Sequence, residues 1–243
     1  MPLGTYIALD AINGAGKTTQ VKRLYERAIA TMPVDKVVLT REPTSVTAYG
    51  KEIRERLNSR TLLPPREMAM LFALDRASHM RDLVRPAVED GALVIGDRCI
   101  ASSMAYQGAA ISGRFDHGSW HSQSSIETAI QWVRHLHVDI PMVDPDITVI
   151  LDMSTSDAMK RLEKRRADSG LALDQQEVDM QLALTACAVY RRISLWMPRV
   201  ITVSAMGTTS HVEISVRAAM LQRVEANRDH RPSLEMIIPM LTS

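Results

Sequence analysis

Residues Ile7 to Leu24 read IALDAINGAGKTTQVKRL: a short apolar run, a glycine turn, then an amphipathic stretch. A strand that enters a glycine turn and opens a helix is the context of a phosphate-binding loop. In the pattern G-x-x-x-x-G-K-[S/T], Gly16, Lys17 and Thr18 meet the last three positions, while Ala11 stands at the first. Backbone N–H groups from Asn13 through Gly14, Ala15 and Gly16 to Thr18, with Thr19 beside them, form a cradle at a helix N-terminus. Unpaired amides and the helix dipole favour an anion there. Lys17 is expected to reach the β- and γ-phosphates of ATP, and the Thr18 hydroxyl to ligate Mg²⁺. The Ala11 methyl removes no amide from the cradle and is tolerated as long as its φ stays negative.

Short apolar runs alternate with long amphipathic ones along the rest of the chain. The strand candidates are Tyr6–Ala11, Lys36–Thr40, Ala92–Gly96, Ile147–Asp152 and Val200–Val203. Runs such as ALVIG and ITVILD are apolar without alternation, as in strands covered on both faces. Helices are expected over Lys17–Ala30, Tyr49–Leu57, Pro65–Glu89, Ser122–Val138, Thr155–Ala167, Gln176–Trp196 and Thr209–Ala226. This alternation implies a three-layer α/β fold of the P-loop NTPase kind, with a five-stranded parallel sheet flanked by helices. Ligands bind beyond the carboxyl ends of such strands, and Asp10, Glu42, Asp97 and Asp152 fall at or just past those ends.

At 243 residues the chain fits one domain. Its 29 basic and 28 acidic side chains leave a charge of +1, which argues against a nucleic-acid polymer as partner. Two cysteines, Cys99 and Cys187, match no metal spacing and read as reduced thiols. No window approaches the roughly 18 uninterrupted apolar residues of a membrane helix, and no secretory signal opens the chain. A cytoplasmic location with no membrane partner is expected.

A second anchor is VIGDRCIASSMAYQGAA, Val94 to Ala110, where a strand end delivers Asp97 and Arg98 and a polar, aromatic helix follows. The acid suits Mg²⁺ or its water, and the arginine suits a phosphate through two parallel hydrogen bonds.

Taken together, GAGKTTQ, TREP (Thr40 to Pro43), LFALDRASHM (Leu71 to Met80) and DRCIASSMAYQGA resemble thymidylate kinases in order and spacing. PDITVILD and VYRRI fit that family's later segments more loosely. The resemblance spans about Thr5 to Ala226. It implies transfer of the ATP γ-phosphoryl to dTMP or a related, 5-substituted pyrimidine deoxynucleotide, in a homodimer. It further implies a kinase domain over residues 1–226 with a lid around 160–176, leaving 227–243 as a C-terminal tail, docked or loose.

Carried over position by position, Phe72 stacks on the thymine ring, Arg76 donates to a thymine carbonyl, and Arg98 holds the acceptor phosphate. Phe72 and Arg76 are four apart and share a helix face. Ser103, Tyr106 and Gln107 read the base edge and crowd the sugar 2′ position, and Pro43 and Leu57 line the pocket. Asp10, Asn13 and Glu42 lie on the acceptor side. Arg161, Arg165 and Arg166 are lid candidates for charge neutralisation during transfer, Arg165 foremost for catalysis and Arg161 for ATP.

The chain departs from the family's E-G-x-D-G-A-G-K in having Asp10 for glutamate, Ala11 for glycine and Asn13 for aspartate. Thr44, Cys99 and Gln175 also differ from the usual residues. An amide at position 13 brings no charge to hold a cation, which leaves two rival readings. One is a nucleotide-binding protein that has lost its chemistry, and the other is a kinase of another small acceptor. The pairing of Phe72 with Arg76 opposes the second, because a sugar or acid has no flat ring to stack.

Overall fold

The computed structural model describes residues 4–59, 62–112, 123–170, 172–227 and 232–243. Ser122 at the start of one expected helix, position 171 in the expected lid and positions 228–231 of the tail lie outside the described residues.

Five strands form one sheet: β1 (Thr5–Asp10), β2 (Val37–Arg41), β3 (Leu93–Asp97), β4 (Ile147–Asp152) and β5 (Val200–Ser204). Their order is β2-β3-β1-β4-β5, and every pairing is parallel. The apolar runs sort by position. β1 and β3 are buried throughout, while the edge strand β2 leaves Leu39 and Arg41 exposed. Helices lie against the sheet between the strands: α1 (Lys17–Thr31), α2 (Ala48–Asn58) and α3, which runs from Pro65–His79 through Met80–Val84 into Arg85–Glu89. Next come α4 (Ile100–Ser102, Ser103–Gln107 and Gly108–Ile111, continuous) and α5 (Gln123–His135). The series continues with α6 (Thr155–Ser169), α7 (Gln175–Val178), α8 (Met180–Arg192), α9 (Thr209–Ala226) and α10 (Ile238–Thr242).

Two details differ from the sequence reading. The helix expected over Gln176–Trp196 restarts at Asp179, whose carboxylate accepts from Leu182 N at 3.0 Å and caps α8. The long helix α3 is continuous, but it widens to i→i+5 spacing over Met80–Val84, just ahead of Pro86, which has no N–H to give the preceding turn.

The C-terminal segment is docked. Leu234, Ile237, Met240 and Leu241 are buried in the main core with Val216, Met220 and Val224 of α9. Thr5 Oγ1 donates to Ser233 O at 2.8 Å, and Arg217 Nη1 to Leu241 O at 3.0 Å. Met240→Ala should therefore destabilise the fold by about 2–4 kcal/mol. Urea denaturation checks this, and a loose tail would give no change.

Candidate active site

The glycine turn after β1 needs two left-handed residues, and glycine supplies both: Gly14 at φ 86° and Gly16 at φ 88°. A Cβ on Gly14 would also lie 2.3 Å from the Ala158 carbonyl of α6. Ala11 carries no positive φ, so its methyl is accommodated as expected. Among the described residues Arg98 alone combines a side chain with a positive φ, 82°. Lys17 is buried at the first position of α1, with Nζ in contact with Asp97 Oδ1. Thr18 Oγ1 donates to Asp97 Oδ2 at 2.8 Å. Both contacts follow from strand order, because β3 pairs directly with β1 and Asp97 lies opposite Leu9. The Thr18 hydroxyl and Asp97 carboxylate are hard oxygens, suited to Mg²⁺. No cluster of three or more His, Cys, Asp or Glu side chains stands ready for a metal among the described residues. The pair therefore fits an ion completed by phosphate oxygens and water rather than a protein cage.

Arg98 turns into the same space. Its Nη1 donates to Ser102 Oγ at 2.7 Å, its Nη2 contacts Asn13 Oδ1, and its guanidinium lies 5.4 Å from the centre of the Tyr106 ring. Beneath it, Asp10 is fully buried and accepts from Ser102 Oγ at 2.6 Å and from Tyr190 Oη at 2.8 Å. A cavity of about 920 Å³ runs without interruption from the glycine turn to Phe72. Lys17, Thr18, Asp97 and Arg98 line it together with Pro43, Leu57 and Phe72 and with Gly207 to Thr209.

The thymidylate kinase family model matches residues 9–208. A probable thymidylate kinase of Methanosarcina acetivorans is 36% identical over 162 residues, covering 67% of this chain and 71% of that protein. The thymidylate kinase of Thermomicrobium roseum is 34% identical, over 79% and 78% of the two chains. The crystal structure of Ehrlichia chaffeensis thymidylate kinase superimposes with a TM-score of 0.64 at 25% identity, covering 91% and 99%. The chain belongs to the thymidylate kinase family. The Candida albicans thymidylate kinase structure, 22% identical with a TM-score of 0.71 over 94% of each chain, matches the fold.

Most residues that the thymidylate kinase resemblance singled out line the cavity. They include Asn13, Gly14, Ala15, Gly16 and Thr19 in the turn, with Glu42, Tyr106 and Gln107 on the acceptor side. Asp10, Arg76 and Ser103 do not. Asp10 lies beneath the wall, its oxygens committed to neighbours. Arg76 is 1% exposed, and all its donors are used within the fold. Nε and Nη2 reach Glu42 Oε2 at 2.8 and 2.6 Å, and Nη2 also reaches Cys99 O at 3.3 Å. Nη1 reaches Ser103 Oγ at 3.0 Å and His137 Nε2 at 2.8 Å. Ser103 is turned toward Arg76, while its neighbour Ser102 lines the cavity.

Several wall residues carry no signal in the motifs. Arg41 and Arg54 add cations near Pro43, and Arg54 Nε donates to Thr44 O at 3.2 Å. Arg41 stands within TREP, where no role was read for it, and Arg54 lies on α2 beyond that motif. Tyr190, in the loosely fitting VYRRI segment, holds Asp10. Of the arginines expected in a lid, all on α6, Arg161 and Arg165 line the cavity while Arg166 does not. Arg165 Nη2 donates to Glu177 Oε1 at 2.6 Å, and Arg161 Nη2 to Ala205 O at 3.1 Å. Asp174 caps α7 and also lines the cavity, and burial with Glu177 nearby pushes its carboxyl up.

Burial drives the Glu42 carboxyl upward, yet Arg76 and the His79 hydrogen bond outweigh it and hold the group at about 2. Burial and the adjacent Arg76 cation lower the His137 imidazole to about 4. A folded value below the unfolded one stabilises fully above the unfolded value, and the contribution is lost as pH falls toward the folded one. Between pH 6.5 and 4 the unfolded chain takes a proton that folded His137 refuses, which removes on the order of 2–3 kcal/mol. Denaturation midpoints measured across this window should fall more steeply for the wild type than for His137→Asn. Parallel slopes would contradict the assignment.

Proposed function

We propose that the protein phosphorylates dTMP with ATP, and that closely related 5-substituted pyrimidine deoxynucleotides also enter the acceptor end. The observation that carries this reading is the single cavity joining Lys17 and the glycine turn to Phe72, with Arg98 between them. An aromatic face at one end suits a flat base, and a ring of amides at the other suits a triphosphate. Nothing in this arrangement needs a general base, because the attacking phosphate oxygen is already an anion. Catalysis is positioning and charge neutralisation.

In this mechanism Lys17 leaves Asp97 for the donor phosphates, and Arg98 aligns the acceptor phosphate against them. Arg165 and Arg161 come from the lid to balance charge that spreads during transfer. Thr18 and Asp97 would hold Mg²⁺, which when bound neutralises phosphate charge. Tyr106, whose hydroxyl accepts from Asn13 N at 2.8 Å, is fixed beside the sugar and excludes a 2′-hydroxyl by bulk.

The exposed apolar residues Met70 and Leu74 lie four apart on α3, and we assign this stripe to a second copy of the chain in a homodimer. Both cysteines are free, no described helix is long and apolar enough to cross a membrane, and a reducing cytoplasm fits the thiols.

A coupled assay over dTMP, dUMP, 5-hydroxymethyl-dUMP and purine monophosphates tests the activity. ADP formation with dTMP is expected, and a protein that only binds nucleotide would make none. Lys17→Ala should lower kcat by about 10²–10³-fold, since it removes a charge aimed at the transferring group. Leu74→Glu should shift a dimer to monomer in sedimentation velocity. A wild type that sediments as a monomer would remove the dimer assignment.

A further inference from the structure

We propose that His137 is a positioning residue for the acceptor nucleotide, holding the Arg76 guanidinium against Glu42 and Ser103 one helical turn from Phe72. The inference rests on the dTMP kinase reading above.

A guanidinium carries five N–H donors, and a buried donor left unpaired is costly. Arg76 places two on Glu42, one on Cys99 O and one on Ser103 Oγ, and the fifth meets His137 Nε2 at 2.8 Å. The tautomer is fixed from the other side. His137 Nδ1 lies 2.8 Å from Val133 O, which only accepts, so Nδ1 carries the proton and Nε2 the lone pair. Arginine only donates, so both bonds agree on one protonation state. His137 stands just past α5, and through it α5 helps to orient α3.

Arg76 itself stays behind the cavity wall, but it is tied to one group that lines the cavity and to the helix that carries the serine partner of Arg98. Glu42 lines the cavity beside Pro43. Cys99 and Ser103 flank the first turn of α4, whose Ser102 holds Arg98 at 2.7 Å. A guanidinium that loses its fifth partner must rotate to find another, and that rotation moves Glu42 and the start of α4 together. The glycine turn makes no bond to Arg76 or His137, so ATP binding should be spared.

Steady-state kinetics of wild type, His137→Phe and His137→Gln decide the matter. His137→Phe fills the space without an acceptor. It should raise the KM for dTMP about five- to tenfold, with kcat and the KM for ATP within about twofold of wild type. His137→Gln offers an amide oxygen to Arg76 and should recover most of the loss. An unchanged dTMP KM in His137→Phe overturns the proposal. A joint rise in both KM values with a lower kcat and thermal midpoint, without recovery in His137→Gln, overturns it too. If His137→Phe does not fold, the shorter and polar His137→Asn should show the same split between substrates, and its absence there is equally decisive. A wild type that turns over no dTMP is a failure of the parent reading, visible before any variant is compared. Calorimetric dTMP affinities of the same proteins then replace the KM values.

Discussion

Asp97 touches Lys17 and Thr18 across two neighbouring strands, and the rest of the site is arranged around that contact. A buried ammonium needs a counter-charge. The only way to supply one from distant sequence is to place another strand end beside the glycine turn. Parallel pairing of β1 with β3 does this, with Leu9 opposite Asp97. Gly96 leaves room for the Tyr6 ring against this strand pair, since a Cβ there would lie 3.0 Å from it. The same pairing delivers the next residue, Arg98, to the same rim. A lysine, a carboxylate and an arginine thus meet at one rim through a single register.

Arg98 also shows what that arrangement costs. A left-handed φ in an arginine is uncommon and persists only when its surroundings over-determine it. Here the backbone N–H donates to Leu9 O at 2.9 Å, while the guanidinium is taken by Ser102, Asn13 and the Ala11 carbonyl. Asp10, held in turn by Tyr190, anchors Ser102 from below. An unusual backbone at a strand tip, tied by four partners, keeps the side chain aimed without relying on ligand.

Much of this was readable in the chain. The glycine turn and the five strands follow from local patterns, apolar runs of strand length and a phosphate-loop spacing, and the resemblance to thymidylate kinases placed Asp97 and Arg98 beside them. The structure moves strand limits by a residue and no more. What the sequence hid depends on phase and on long-range packing. Ser102 and Ser103 are neighbours of the same type, and only the packing of α4, with Arg76 on one side and Arg98 on the other, decides which faces the cavity. Arg76 stands at a motif position, but its burial reflects four partners drawn from Glu42, Cys99, Ser103 and His137, spread over 95 positions of the chain. His137 falls in a stretch with no motif at all. The docked tail was undecidable for a similar reason. Its apolar residues have no period of their own, and it is the groove between α1 and α9 that orders them.

Asn13 is the departure from the family pattern with the clearest physical consequence. Arginine can only donate, so the Asn13 side chain must turn its oxygen toward Arg98 Nη2, as observed. The tie that an aspartate would make is therefore kept in geometry. What changes is charge. An aspartate would add a second carboxylate beside Arg98, in competition with the acceptor phosphate, whereas the amide leaves Asp10 as the nearby anion on that arginine. Arg98 thus keeps more of its positive field than it would beside a second carboxylate. Asp97 is left as the carboxylate for a cation at the cavity's centre, paired with the Thr18 hydroxyl. Substituting amide for acid leaves less of the Arg98 charge offset, and it does so without dismantling the contacts that hold the site together.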